Sequence, residues 1–210
     1  MIVTFSGVSG CGKSTIGNAL KERLEKEGYK VKYRIEFDYL LLKYVLKCIH
    51  FLDKEAGPKI INNILIKKKY SKIISKTWAY LVFLDFLLEY FYLNIFFRKH
   101  IIIMDRCIID LWVGWDWMRF SDKFIEGLYL KLFPKYDIMN VFIVDPKIAL
   151  CRGKDKRNDI YFYKTINDKY VFLSKLLNLK VYNSASPKEN ILEEIYQDNL
   201  AEFIKLKPKR

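Results

Sequence analysis

The sequence predicts an α/β fold, a central parallel sheet of about five strands flanked by helices. Three observations carry this expectation. Short apolar runs alternate with longer amphipathic stretches along the 210 residues. Two of the runs, at the start of the chain and at Ile101-Ile102-Ile103-Met104, are near-continuous in apolar residues, as strands covered on both faces are. The first run leads directly into a glycine-rich loop and then a helix-period pattern.

The elements follow in order. Met1 to Ser6 reads as a buried strand and Thr15 to Glu27 as a helix, with Ile16, Leu20 and Leu24 on one face and Gly28 stopping it. Lys30 to Glu36 reads as a second strand. Phe37 to His100 is long, helical in character and aromatic, broken once at Gly57-Pro58. The apolar strand at 101–104 ends in Asp105-Arg106. A helical stretch from Ile108 to Leu132 has a break and N-cap at Ser121. Ile138 to Val144 is a strand ending at Asp145-Pro146, and a basic stretch runs from Arg152 to Arg157. Tyr161 to Leu177 is helical, Lys180 to Asn183 is a last strand, and Pro187 to Ile204 is a last helix with proline in its first turn. The length suits one domain over residues 1–210, with a helical region at about 37–98 and a short mobile segment at about 151–160.

The loop is the strongest chemical signal. Gly7, Val8, Ser9, Gly10, Cys11, Gly12, Lys13, Ser14 and Thr15 match the Walker A pattern of Gly, four residues, Gly-Lys-Ser/Thr. Glycines let successive N–H groups turn inward around phosphate oxygens, and the helix N-terminus adds its partial positive charge. Lys13 can reach the β- and γ-phosphates of a nucleotide, and the Ser14 hydroxyl can ligate Mg²⁺. ATP and Mg²⁺ are therefore the expected cofactors.

Composition bounds the rest. A net charge of +13 implies anionic partners, which nucleic acid, acidic lipid and polyphosphate all satisfy. The loop begins at Gly7 and nothing before it resembles a signal peptide, so none is expected, and Cys11, Cys48, Cys107 and Cys151 show no metal-ligand spacing. Reduced thiols in a cytoplasm are the expectation. Ala79 to Phe97 is nineteen residues of mostly Leu, Phe and Tyr, but it carries Asp85 and Glu89 one turn apart. Two carboxylates are costly in lipid, so a buried helix with an acidic stripe is expected, not a transmembrane span. The lysines 67, 68, 69, 72 and 76 read as a solvated helix face, with a polyanion site as the sharper reading. Tyr39, Trp78, Phe83 and Tyr90 can stack on a base, though core packing is their ordinary use.

Asp105, at the carboxyl end of a strand, stands where open α/β sheets bind ligands, and can hold a Mg²⁺-bound water or orient an acceptor. Arg106 follows it and can grip a phosphate. Arg152, Lys154, Lys156 and Arg157 come just after the fourth strand, where mobile cations can close over a transferring phosphoryl group.

These features together resemble the thymidylate kinase family of P-loop nucleoside monophosphate kinases over most of the chain. The resemblance rests on the loop, on Met104-Asp105-Arg106, on the run from Val144 to Arg152, and on Asn183-Ser184-Ala185-Ser186 with the acidic helix after it. It implies a P-loop kinase fold, a helical acceptor region and an arginine-bearing lid. It also exposes departures. The family usually carries Glu before the first glycine and Asp within the loop, where this chain has Ser6 and Ser9. The family's Arg-Glu-Pro-Gly-Gly stretch is replaced by Arg34-Ile35-Glu36-Phe37-Asp38-Tyr39, and its Asp-Arg pair on the substrate helix by Asp85-Phe86. Every loss is on the acceptor side.

The expected function is ATP-dependent phosphoryl transfer to a small acceptor, first a nucleoside monophosphate. The catalytic set is Lys13, Asp105, Arg106, Arg152 and Arg157, with Ser14 and Asp105 for the metal. Arg34, Glu36, Asp85 and Arg106 face the acceptor, and Glu36 stands where a deoxynucleoside kinase places its base. A deoxynucleoside kinase is thus one alternative. A nucleic-acid-binding P-loop NTPase or polynucleotide kinase is another: the charge favours it, and the missing Asp-Glu pair and short length oppose it. A third is a nucleotide-binding protein without turnover. A homodimer is left open.

Overall fold

The computed structural model describes residues 1–35, 41, 42, 44, 72–117, 124, 127, 128, 131, 136–152 and 159–205. Among them lie five strands, β1 (Ile2–Gly7), β2 (Val31–Ile35), β3 (Ile101–Asp105), β4 (Ile138–Ile143) and β5 (Lys180–Asn183). Six helices are described with them, in chain order: α1 (Lys13–Lys26), α2 (Lys72–Phe96), α3 (Ile108–Trp117), α4 (Pro146–Arg152), α5 (Ile160–Leu176) and α6 (Lys188–Lys205). The sheet is parallel throughout, in the order β2-β3-β1-β4-β5. This is the α/β arrangement of a P-loop kinase fold.

The chain divides into two compact units, one of residues 1–37, 97–113 and 135–210, the other of residues 38–96 and 114–134. The first unit contains the sheet. Its central strand β1 is buried along its whole length, and Val3, Phe5, Ile103, Val141 and Phe142 have no exposure that matters. Phe5 and Phe142 meet edge to face with ring centres 5.3 Å apart, a favoured aromatic geometry. Register places Phe5 beside Asp105 on one side and Asn140 on the other, so β1 runs on to Gly7 past the carboxyl end of β3.

Local chemistry explains where the helices stop. Gly28 has φ of 91°, its N–H bonds Glu25 O, and Tyr29 N bonds Leu24 O. That pair of bonds is the Schellman closure, and only a residue tolerant of the left-handed region completes it without strain. Asn178 at φ 51° ends α5 the same way, with Leu179 N on Ser174 O. At the other end of α5 the Asp159 side chain accepts Phe162 N at 2.7 Å, a standard N-cap. The helix after the loop begins at Lys13, two residues before the sequence pattern placed it, because Gly12 at φ 85° already turns the chain into it. Arg152 is the last residue of a short helix, α4, with Ala149 buried beneath it.

In the second unit α2 carries its acids inward. Asp85 and Glu89 are buried together with Val82, Phe83, Phe86 and Leu93, while Leu81, Leu84, Leu88, Phe91 and Ile95 are exposed. The Asp85 carboxylate explains its own burial: Oδ1 accepts the backbone N–H of Leu41 at 2.6 Å and of Leu42 at 3.3 Å. No helix among the described residues is long and apolar enough to cross a membrane.

Candidate active site

The loop between β1 and α1 closes on its own lysine. Gly7 (φ 151°), Gly10 (φ 85°) and Gly12 (φ 85°) all occupy positive φ. Gly7 has no alternative: a Cβ there would fall 2.4 Å from Phe142 O and 2.9 Å from Cys11 Sγ. Lys13 is buried, and its ammonium donates to Gly7 O at 2.8 Å and Val8 O at 2.9 Å. A cation inside a ring of backbone, at a helix N-terminus, presents positive charge and orphan N–H groups to one small volume.

Ser14 and Asp105 meet at the mouth of that loop. Ser14 Oγ donates to Asp105 Oδ2, and the Tyr33 hydroxyl donates to the same oxygen at 3.1 Å. Burial, and then the Asp105 charge, raise the Tyr33 phenol well above its usual range, so it stays a donor. Hydroxyl and carboxylate form a hard oxygen donor pair, which fits Mg²⁺ completed by water and phosphate. No group of three or more His, Cys, Asp or Glu side chains suited to a metal occurs among the described residues.

Arg106 comes next, half-buried, with φ at 84°. A non-glycine residue in that region is strained, and its N–H on Phe5 O at 2.8 Å helps hold it. A cavity of about 960 Å³ in the first unit is lined by residues 9–16, Asp105, Arg106, Arg152 and residues 184–188. Among the described residues that line it, the cations Lys13, Arg106, Arg152 and Lys188 outnumber the single carboxylate Asp105. Arg152 Nη1 reaches Ser184 O at 3.5 Å, so the end of α4 and the turn after β5 share one wall.

The predicted donor residues 7 to 15 thus stand with Asp105, Arg106 and Arg152 in the first unit. Arg34 lies on β2 opposite Met104, and strand alternation puts it on the other face from Tyr33. Asp85 lies in the second unit with the amides already described. Glu36, Tyr39, Lys154, Lys156, Arg157 and Lys67, Lys68 and Lys69 fall outside the described residues.

Sequence reasoning passed over Tyr33, Asp110 and Tyr170. Asp110, in the first turn of α3, accepts Ser6 Oγ at 2.7 Å and Cys107 N at 2.9 Å on Oδ2. Its Oδ1 accepts Gly7 N at 3.3 Å and the Tyr170 hydroxyl at 2.8 Å. Burial and the Asp110 charge raise the Tyr170 phenol, and the same two causes push the Cys107 thiol up to about 12. A signal was present: a lone carboxylate among Ile108, Ile109 and Leu111 must be satisfied by something nearby.

No family model matches the chain. It is 22% identical over 202 residues to a probable thymidylate kinase of Sulfurisphaera tokodaii, covering 93% of each chain. It is 26% identical over 204 residues to a probable thymidylate kinase of Sulfolobus acidocaldarius, covering 93% of this chain and 94% of that one. The likeness extends along nearly the full length of both, and at this identity it supports a nucleotide kinase activity in general terms.

Proposed function

We propose that the protein transfers the γ-phosphoryl group of ATP, with Mg²⁺, to a small acceptor, and that the acceptor is a nucleoside monophosphate. The observation that carries this reading is the shared cavity of about 960 Å³, in which the glycine loop, Lys13, Asp105, Arg106 and Arg152 converge. Residues 1–210 are read as one kinase domain, with acceptor contacts at about 37–98 and a lid at about 151–160.

The chemistry asks little beyond position and charge. An acceptor phosphate oxygen attacks the γ-phosphorus, the bond to the β–γ bridging oxygen breaks, and ADP leaves with that electron pair. Lys13 exchanges its two carbonyl partners for phosphate oxygens, and the loop amides hold the β-phosphate. Ser14 and Asp105 would hold Mg²⁺, which would supply charge neutralisation at the phosphates. Arg106 binds the acceptor phosphate. Arg152, with Arg157, covers the transferring group and excludes water.

A monophosphate at neutral pH is already an anionic nucleophile, whereas a nucleoside hydroxyl needs a base. A screen with γ-labelled ATP against nucleoside monophosphates, nucleosides and 5′-hydroxyl oligonucleotides tests the reading. Label should appear in at least one nucleoside diphosphate. Label only in oligonucleotide, or in no acceptor, would overturn it.

A further inference from the structure

Asp110 is the buried carboxylate best placed to act on the site without touching its ligands. Four groups donate to it, and they belong to three parts of the first unit: Ser6 and Gly7 at the end of β1, Cys107 directly after Arg106, and Tyr170 on α5. Gly7 opens the glycine loop. Cys107 follows the one described residue of the β3–α3 junction that holds a left-handed φ without being glycine. One carboxylate therefore fastens the donor loop and the strained Arg106 turn to each other.

We propose that Asp110 is a positioning residue for nucleotide binding, taking the place of a carboxylate at position 6. The family this chain resembles usually carries Glu before its first glycine, and this chain has Ser6 there. The structure holds a hydroxyl on the strand and the carboxylate on the helix, 2.7 Å apart. The pair is complementary: the strand hydroxyl donates and the helix carboxylate accepts. The inference rests on the donor-site reading above.

The charge itself is needed, not only the shape. Gly7 N–H lies on Oδ1 and Cys107 N–H on Oδ2. Both are fixed backbone donors. An asparagine amide in either orientation would turn its NH₂ against one of them, so no neutral isostere satisfies both. An ordinary helix-capping role accounts for the bond to Cys107 alone. It gives no reason for the bond to Gly7.

The test separates positioning from simple electrostatics, because the two predict opposite signs. Removing a negative charge near a phosphate site should by itself tighten ATP binding. Loss of positioning should weaken it. We expect folded Asp110→Asn to bind Mg-ATP about ten- to a hundredfold more weakly in calorimetric titration. The exchange variant Ser6→Glu with Asp110→Ser, which returns a carboxylate from β1, should recover most of that loss. Unchanged or tighter ATP binding by folded Asp110→Asn, with only a lower Tm, would overturn the inference. Should Asp110→Asn not fold, Ser6→Ala and Tyr170→Phe carry the test, each removing one hydroxyl donor. Each should bind about two- to tenfold more weakly, and wild-type affinity in both would overturn it. Failure of the kinase reading looks different: wild-type protein would titrate normally with ATP and transfer no label.

Discussion

Gly17 is the seat of the Tyr33 ring. A Cβ at Gly17 would lie 2.6 Å from Tyr33 Cε2 and 3.2 Å from Phe5 Cδ2. The ring can sit this close to α1 only because the helix has no side chain at that point, and its hydroxyl reaches Asp105. Gly17→Ala gains about 0.5–1 kcal/mol of helix preference. It also overpacks a closed site at about 1–3 kcal/mol. At 2.6 Å the second effect wins. The expected outcome is a lower Tm, with kcat falling more than the affinity for ATP as Asp105 loses its Tyr33 donor. Denaturant melts and steady-state kinetics on Gly17→Ala measure both, and Tyr33→Phe should reproduce the kinetic part without the loss of packing.

Lys13→Ala should abolish transfer and weaken ATP binding. The ammonium has two backbone acceptors of its own and is the buried cation of the loop. Losing a charge-assisted contact costs about 1.5–3 kcal/mol in binding, and more in the transition state. Normal turnover by this variant would remove the basis of the kinase reading.

Arg152→Ala with Arg157→Ala should act on kcat before ATP affinity, since a closing group meets its charge only in the reacting state. A loss of about a hundredfold in kcat is expected. Wild-type kcat in the double variant would leave the segment as a solvated basic face.

The thiols divide by burial. Cys11 and Cys107 are buried, burial raises the first and pushes the second to about 12, and Cys151 is exposed. At pH 8 a thiol of that pKa is about 10⁻⁴ ionised, and thiolate is the reactive form. Mass spectrometry after iodoacetamide treatment of native protein should find Cys151 alkylated and Cys11 and Cys107 intact. Labelling of Cys107 in folded protein would show that the Asp110 cluster opens readily.

Thymidine monophosphate should be a poor acceptor despite the names of the relatives. By the resemblance to the thymidylate kinase family, an acid would be expected at position 9 and a second substrate arginine at position 86, and this chain has Ser9 and Phe86 there. One missing cation at a buried phosphate weakens binding by about ten- to a hundredfold. A kcat/KM for thymidine monophosphate above about 10⁵ M⁻¹s⁻¹ would show that the missing contacts come from elsewhere.

What could be read in advance was whatever the local chain decides. Ile101 to Met104 announces a doubly covered strand, Gly28 announces a helix end, and the glycine spacing of residues 7–12 forces a loop whatever surrounds it. Asp85 was legible as a residue kept from solvent, but not as a partner of Leu41 and Leu42, because those amides lie 44 and 43 residues away. Asp110 and Ser6 are separated by 104 residues, and Tyr33 and Asp105 by 72. Such pairs arise from strand order, which no periodicity encodes. The exposed Leu81, Leu84, Leu88, Phe91 and Ile95 were hidden for the opposite reason: hydrophobicity alone predicts burial, and here the acids are buried instead.

The order β2-β3-β1-β4-β5 also sets a timetable for the chain's own synthesis. β1 is made first, yet it pairs with β3 at residues 102–105 and with β4 at residues 138–142. Until both arrive, the apolar ribbon that ends in the glycine loop has an open edge available to any other extended chain. More than half of the polypeptide must leave the ribosome before Gly7 can find Phe142. Contacts this distant form slowly. The glycine loop, which precedes both partners of its strand, is therefore among the last parts to become native, and chains that stop short of β4 are the form most exposed to aggregation.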